Sequence, residues 1–122
     1  MTMNQKCILL VDDEEAVLKV ISSHLITDDY RVQSALTGEE AIDKVKKEKP
    51  AVVLLDIRLG KMSGIEVLRK IKEIDKTIPV IMVTGVYDNE EGKKAFDAGA
   101  VDYVTKPVDF NYLKNVLRIQ LL

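Results

Sequence analysis

Short apolar segments alternate with stretches of helical periodicity along the whole chain. An unbroken apolar run at residues 51–55 leads directly into Asp56, which predicts a strand buried on both faces of a covered sheet. Four further strands are predicted at residues 6–11, 30–35, 78–83 and 101–104. The segment 30–35 alternates polar and apolar side chains, as expected of an edge strand. The pattern therefore predicts five strands, each followed by a helix.

Five helices are predicted from the apolar side chains that they contain and from the residues that cap them. The apolar side chains are Val17, Leu18, Ile21, Leu25 and Ile26 on one face of the first helix, Ala41, Ile42 and Val45 in the second, Ile65, Val67, Leu68, Ile71 and Ile74 in the third, Ala95 and Phe96 in the fourth, and Leu113, Val116, Leu117 and Leu121 in the fifth. Residues that can cap a helix precede the last four, at Thr37, Ser63, Asp88 and Asp109. Pro50 ends the second helix, and the fourth ends near Gly99.

Strands that alternate with single helices run parallel, because each helix carries the chain back across the sheet. Right-handed crossovers then cover both faces of the sheet with helices. We therefore expect an α/β fold: a flavodoxin-like, doubly wound (βα)5 open sandwich whose five-stranded parallel sheet has the order 2-1-3-4-5. No linker or repeat divides the sequence, so residues 1–122 are expected to form a single domain.

Composition and charge argue against several classes of protein. The chain is 47% hydrophobic and 31% charged with a net charge of −2, and its sequence contains no basic stripe that would predict a nucleic-acid-binding surface. No signal peptide is expected, and no apolar run approaches membrane-spanning length. The single cysteine, Cys7, lies in the first apolar run and is expected to be a buried thiol in a reducing compartment. We therefore expect a cytoplasmic protein with no membrane partner.

The distinctive polar residues lie just beyond the carboxyl ends of predicted strands. Asp12 and Asp13 follow the first strand, Asp56 the third, Thr84 the fourth and Lys106 the fifth. In the order 2-1-3-4-5, the first and third strands flank the switch point of the sheet, so the three aspartates are expected to meet in one crevice. Neighbouring carboxylates repel one another unless a cation lies between them, and hard oxygen ligands open to water suit Mg²⁺, or Mn²⁺ in its place.

Such a crevice suits phosphoryl transfer. A carboxylate can act as the nucleophile and form an aspartyl-phosphate. The transition state needs positioning and charge neutralisation far more than it needs a strong base. A metal ion, the ammonium group of Lys106 and the hydroxyl group of Thr84 could together contact the three phosphoryl oxygens.

Each of these residues has an ordinary structural interpretation when it is taken alone. Asp56 could be a turn residue and Lys106 an ordinary surface lysine. Thr84 could simply end a strand, and Tyr103 could be a half-buried aromatic side chain. The dipole of the first helix accounts for Glu14 and Glu15. His24 has no metal ligand at a suitable spacing and is expected to be structural. Only the complete set of these residues is specific evidence for a functional site.

The set resembles the receiver domain of two-component response regulators, of the kind found in chemotaxis regulators. The motifs are Asp12-Asp13 after an apolar strand, LLDIR around Asp56, VTG around Thr84 and YVTKP at residues 103–107. They occur in the expected order and spacing, and the resemblance covers essentially the whole chain. It implies that Asp56 is the phosphoacceptor.

The resemblance also implies a metal site and a cis peptide bond. Asp13, Asp56 and the main-chain carbonyl of Arg58 would hold Mg²⁺, with Asp12 acting mostly through a bound water. Lys106 would pair with the phosphoryl group, and the bond between Lys106 and Pro107 would be cis.

A switch is implied as well. Thr84 would be drawn toward the phosphoryl group, and Tyr103 would report that movement by turning inward or outward. The fourth helix, fifth strand and fifth helix would then present an altered face to an output domain, to a downstream protein or to a second copy of the chain in a homodimer.

The function implied by the resemblance is that of a signalling switch, not a conventional turnover enzyme. The domain would take a phosphoryl group from a sensor histidine kinase or a phosphotransfer protein and catalyse its own phosphorylation and dephosphorylation at Asp56. Residues 118–122 contain no helix stop signal, which favours a receiver domain cut from a longer response regulator. The alternatives are an unphosphorylated receiver-like interaction module, a flavodoxin-like mononucleotide binder and an aspartate-dependent phosphohydrolase.

Three features depart from the usual family pattern. Residues 59–62 replace a Met-Pro-Gly-Met sequence, and glycine instead of proline at Gly60 is expected to make the loop after Asp56 more flexible. Arg58 and Val86 occupy the two positions that border the phosphoryl group, and we expect Arg58 to alter its lifetime. Gly85 stands where alanine is common, which is a mild change.

Overall fold

The computed structural model describes residues 5–85 and 88–122, and in this part of the chain five helices surround a parallel sheet. The helices are α1 (Glu15–Ile26), α2 (Gly38–Glu48), α3 (Gly64–Ile74), α4 (Asn89–Asp97) and α5 (Phe110–Gln120). The strands are β1 (Cys7–Val11), β2 (Arg31–Ala35), β3 (Val52–Leu55), β4 (Arg58–Leu59), β5 (Met62–Ser63), β6 (Val80–Thr84) and β7 (Asp102–Thr105).

The five longer strands form one sheet in the order β2-β1-β3-β6-β7, and every neighbouring pair is parallel. Because β6 and β7 are the fourth and fifth predicted strands, the predicted order 2-1-3-4-5 is confirmed. The strand predicted to lie at an edge, β2, does so. The flavodoxin-like fold class is therefore confirmed.

Side chains alternate between the two faces of the sheet, and helices cover both faces. Leu9 and Val11 of β1 join a core cluster that includes buried residues of α2, α3 and α4. Ile8 and Leu10 of the same strand join a second cluster with buried residues of α1 and α5. Burial on both faces explains why the sequences of β1 and β3 are unbroken apolar runs.

The strand register brings the polar residues to one end of the sheet. Val11 pairs with Leu55, so Asp12 and Asp56 follow directly after paired positions on adjacent strands. On the other side of β3, Thr84 of β6 pairs with Thr105 of β7, immediately before Lys106. The crevice expected at the carboxyl ends of the strands is therefore present.

Four helices begin at the predicted capping residues. The side chains of Thr37, Ser63, Asp88 and Asp109 accept hydrogen bonds from the main-chain N–H groups of Glu40, Ile65, Glu90 and Tyr112, respectively. α1 begins after Glu14 without a side-chain cap. Instead, the N–H of Glu14 donates to Asp12 Oδ1 at 2.9 Å. This bond ties the helix start to the acidic crevice.

Several predicted side-chain environments are confirmed, whereas the prediction that Ile26 lies on the apolar face of the first helix is wrong. Cys7 is buried, and the ring of His24 stacks on Phe110 with centroids 3.7 Å apart. Ile26 and Phe96 remain 58% and 49% exposed, because the adjacent Leu25 and Ala95 already occupy the core-facing positions. Among the described residues, no helix is both long enough and apolar enough to cross a membrane.

A short hairpin forms where the sequence predicted only a loop. β4 and β5 pair antiparallel across a two-residue turn whose first residue is Gly60, with φ of +73°. Glycine adopts this left-handed conformation at little cost, and it is the favoured residue at the first central position of a type II′ hairpin turn. Gly60 therefore fits an ordered turn directly after Asp56.

Candidate functional site

Three carboxylates meet at the carboxyl end of the sheet. One ligand oxygen from each of Asp12, Asp13 and Asp56 lies within 4.8 Å of the others. Asp12 and Asp56 are 3% and 6% exposed, whereas Asp13 is exposed. The crevice is therefore closed by the sheet on one side and open to solvent beside Asp13.

Lys106 joins the two buried carboxylates. Its Nζ donates to Asp12 Oδ2 at 2.6 Å and to Asp56 Oδ2 at 2.9 Å. The main-chain N–H of Lys106 donates to the carbonyl oxygen of Thr84 at 2.9 Å, which fixes the end of β7 against the end of β6. The peptide bond between Lys106 and Pro107 is cis.

The charges in the crevice do not balance. Burial raises the pKa of the Asp12 carboxyl, and the hydrogen bonds from Lys106 and Glu14 offset this only in part. Burial also works against the charge on Lys106, but the bonds to Asp12 and Asp56 outweigh it and raise the pKa of Lys106. One firmly charged ammonium group thus faces three carboxylates, and their hard oxygens fit a divalent cation such as Mg²⁺.

The main chain of Arg58 turns toward Asp56. The Arg58 N–H donates to Asp56 Oδ1 at 3.3 Å. In the hairpin Arg58 pairs with Ser63, while the next bond toward α3 runs from the Gly64 N–H to the Ile57 carbonyl at 2.6 Å. Hydrogen-bonded and non-hydrogen-bonded pairs alternate in an antiparallel ladder, so the pair Arg58–Ser63 is non-hydrogen-bonded. Both main-chain groups of Arg58 therefore face away from β5, and its carbonyl can serve as a metal ligand.

Thr84 and Tyr103 lie on the adjacent strands β6 and β7. Thr84 is fully buried, and Tyr103 is half-buried against the core cluster on the α4 face. A Cβ atom at Gly92 of α4 would lie 3.9 Å from the Tyr103 ring, so the ring and the helix are neighbours. Burial raises the pKa of Tyr103, and the charges of Glu91 and Asp88 add to this. The phenol is therefore neutral at pH 7.

The sequence did not single out Gly64 as part of the site. The sequence predicts only that Ser63 caps the helix here, yet the next residue, Gly64, packs directly against the main chain of Asp56 and Ile57. The signal was a glycine at the first position of a helix that follows the acidic strand end. Arg58 is exposed, and Val86 lies outside the described residues.

Comparison with known proteins agrees with this geometry. The model of the response regulator receiver domain family matches residues 8–118. The alkaline phosphatase synthesis transcriptional regulatory protein PhoP of Bacillus subtilis is 38% identical over 105 residues, which make up 86% of this chain and 43% of that protein. Sporulation initiation phosphotransferase F of Bacillus subtilis is 33% identical over 116 residues, or 95% of this chain and 93% of that protein.

Among solved structures, a CheY-like response regulator receiver domain protein from Methanospirillum hungatei superposes with a TM-score of 0.93 at 34% identity. The similarity covers 97% of this chain and 94% of that one. The family model, the relatives and the fold agree over nearly the full length. The chain therefore belongs to the response regulator receiver domain family, whose members are phosphorylation-regulated signalling switches and not conventional enzymes.

Proposed function

We propose that Asp56 accepts a phosphoryl group in a Mg²⁺-dependent reaction and that the domain acts as a signalling switch. The donor is a phosphohistidine on a sensor histidine kinase or a phosphotransfer protein. The observation that supports this most directly is the placement of the Asp56 carboxylate. It is buried, it accepts hydrogen bonds from Lys106 and from the Arg58 main chain, and two further carboxylates lie within 4.8 Å.

In the proposed reaction, an oxygen of the Asp56 carboxylate attacks the phosphorus atom in line with the leaving group. The new P–O bond replaces the P–N bond of the phosphohistidine, and the imidazole leaves with its electron pair and takes a proton from solvent. The chief obstacle is repulsion between the incoming phosphoryl oxygens and the carboxylates. Lys106, whose ammonium group is already 2.9 Å from Asp56 Oδ2, supplies positive charge at the reacting atom.

A metal ion would occupy the acidic crevice. Asp13, Asp56 and the main-chain carbonyl of Arg58 are the proposed direct ligands, and Asp12 is proposed to act through a water molecule. The ion, when bound, supplies charge neutralisation for the phosphoryl oxygens. The excess of carboxylates over ammonium groups and the outward-turned Arg58 carbonyl support this ligand set.

Phosphorylation adds about two negative charges and three acceptor oxygens at Asp56. We propose that these oxygens attract Lys106 and the hydroxyl group of Thr84. Movement at Thr84 would reach Tyr103 because β6 and β7 are adjacent, and it would reach α4 because the Tyr103 ring lies beside Gly92. Inward and outward positions of Tyr103 would then define the two states of the switch.

The face formed by α4, β7 and α5 is the proposed output surface. α4, α5 and the residue before β7 carry exposed apolar side chains at Phe96, Tyr112, Ile119 and Val101. An output domain, a downstream protein or a second copy of the chain in a homodimer would bind there. Because the chain spans only 43% of the transcriptional regulator PhoP, we propose that it is one domain of a longer response regulator. The proposal places the protein in the cytoplasm and assigns this domain no direct nucleic-acid binding.

Intact mass after incubation with acetyl phosphate tests the proposal. The wild-type protein should gain one phosphoryl group with Mg²⁺ and none with EDTA. Asp56→Asn should remain unmodified, whereas Asp43→Asn, which changes an exposed aspartate on α2, should behave as wild type. If the folded wild-type protein gains no phosphoryl group, the domain is an interaction module that phosphorylation does not regulate.

A further inference from the structure

Gly64 occupies a position where no side chain can fit. It is the first residue of α3, and a Cβ atom there would overlap the main-chain carbonyl oxygen of Asp56. The same atom would lie 2.7 Å from the Ile57 Cα and 2.9 Å from the carbonyl carbon of Asp56. These are main-chain atoms at the end of a buried strand, so they cannot move aside as the end of a flexible side chain can.

Gly64 also bonds to the same segment. Its N–H donates to the Ile57 carbonyl at 2.6 Å, which closes the open end of the β4–β5 hairpin. The next residue of this hairpin, Arg58, donates its N–H to the Asp56 carboxylate. The first turn of α3 is itself held by Ser63, whose hydroxyl accepts from the Ile65 N–H. The start of α3 thus rests on the backbone that carries Asp56.

Gly38 provides a matched comparison within the same chain. It is the first residue of α2, it follows a capping hydroxyl residue, and it is buried like Gly64. A Cβ atom at Gly38 would lie 2.7 Å from Met62 Sδ and 2.7 Å from Val67 Cγ2, which are the ends of side chains. Crowding at Gly38 therefore falls on core side chains, whereas crowding at Gly64 falls on the main chain of Asp56.

We infer that Gly64 is a positioning residue for Asp56, an inference that rests on the function proposed above. Its missing side chain lets α3 start in contact with the Asp56 carbonyl, and this contact sets the direction of the Asp56 carboxylate and of the Arg58 main chain. In Gly64→Ala, the Ile57 Cα would have to move by about 0.7 Å for its distance from the added Cβ atom to reach ordinary van der Waals contact. A displacement of about 1 Å at a reacting group can cost about 10²-fold in rate.

The test compares Gly64→Ala with Gly38→Ala. The rate of phosphorylation by acetyl phosphate should fall by about tenfold or more in Gly64→Ala and stay near the wild-type rate in Gly38→Ala. Two readouts that do not depend on phosphorylation accompany the rate. In metal-free protein the amide resonances of Asp56 and Arg58 should shift only in Gly64→Ala, and titration with Mg²⁺ should give a weaker affinity only in that variant. Urea denaturation of both variants measures the loss of stability that crowding causes by itself.

The inference is overturned if folded Gly64→Ala keeps wild-type amide shifts and Mg²⁺ affinity, or if Gly38→Ala changes them equally. If Gly64→Ala does not fold, Ser63→Ala is compared with Thr37→Ala instead. These variants remove the helix caps that directly precede Gly64 and Gly38. Only Ser63→Ala should then shift the amide resonances of Asp56 and Arg58, and equal effects of the two cap variants would overturn the inference. A wild-type protein that takes up no phosphoryl group refutes the proposed function, while the amide shifts still decide whether Gly64 positions Asp56.

Discussion

Replacing Asp13 by asparagine should stabilise the metal-free protein. Asp13 shares the acidic crevice with Asp12 and Asp56, with ligand oxygens no more than 4.8 Å apart. The Lys106 ammonium group bonds to the other two carboxylates. Asparagine keeps the shape of the side chain and removes its charge, so the variant isolates the electrostatic repulsion that Asp13 experiences in the folded state.

The distances set the size of the effect. Two unit charges 4.8 Å apart repel by about 3.5 kcal/mol at an effective dielectric constant of 20 and by about 0.9 kcal/mol in bulk water. Asp13 is exposed, so the value lies nearer to that of water. It is repelled by two carboxylates and attracted by one ammonium group, which leaves about one repulsion uncompensated. We therefore expect Asp13→Asn to raise the free energy of unfolding by about 1–2 kcal/mol.

Urea denaturation at pH 7, with EDTA and with excess Mg²⁺, measures this effect. In EDTA the variant should have the higher free energy of unfolding. Excess Mg²⁺ should stabilise the wild-type protein by binding to its folded state, and it should stabilise Asp13→Asn much less. Glu15→Gln is the control, because it removes an exposed acid from the first turn of α1. That variant should lose a few tenths of a kcal/mol from the helix dipole and keep the wild-type response to Mg²⁺.

Either of two results would refute this reasoning. One is an Asp13→Asn variant that is less stable than wild type in EDTA, which would mean that Lys106 compensates all three carboxylates. The other is an equal gain from Mg²⁺ in both proteins, which would mean that Asp13 does not take part in metal binding.

Three further predictions concern neighbouring parts of the site. Burial raises the pKa of Asp12, so its carboxyl binds a proton more tightly in the folded state than in the unfolded state. The contribution of this carboxyl to stability therefore falls as the pH rises through its folded-state pKa. In EDTA, the free energy of unfolding should fall less steeply between pH 4 and pH 7 in Asp12→Asn than in wild type. Arg58→Ala should change the rate of dephosphorylation of Asp56, measured by mass after the donor is removed, because Arg58 is exposed and its main-chain N–H donates to the Asp56 carboxylate. An unchanged rate would contradict the role expected for Arg58. Gly92→Ala should raise the free energy of unfolding by about 0.5–1 kcal/mol, because alanine is the better helix former and its Cβ fits 3.9 Å from the Tyr103 ring; a lower melting temperature would show that this contact is overcrowded.

The sequence predicted the sheet well because its information is local and redundant. The runs that became β1 and β3 are apolar at every position, and β6 is apolar except for its last residue, Thr84, since each strand is buried on both faces. Once the strand order was assumed, the meeting of Asp12, Asp13 and Asp56 followed, because the carboxyl ends of neighbouring parallel strands lie side by side. Geometry alone, and no special motif, was sufficient for that step.

The features that the sequence did not reveal depend on contacts between distant or very short segments. β4 and β5 have two residues each, too few for any periodicity to be recognised. The exposure of Ile26 depends on how α1 is rotated about its axis over the sheet. The spacing of the apolar residues does not decide whether Leu25 or Ile26 faces the core. The bond from Lys106 to Asp12 joins residues that are 94 positions apart, so only the folded chain reveals it.

The placement of Lys106 has a consequence for the order in which a nascent chain can be completed. During synthesis Asp12 and Asp56 emerge first, and the lysine that bridges them follows 50 residues after Asp56. The acidic ends of β1 and β3 are therefore synthesised well before β7 and the lysine that follows it. Until residue 106 leaves the ribosome, the adjacent carboxylates have no ammonium group from their own chain to separate them. A divalent cation held between the carboxylates would offset their repulsion in that interval.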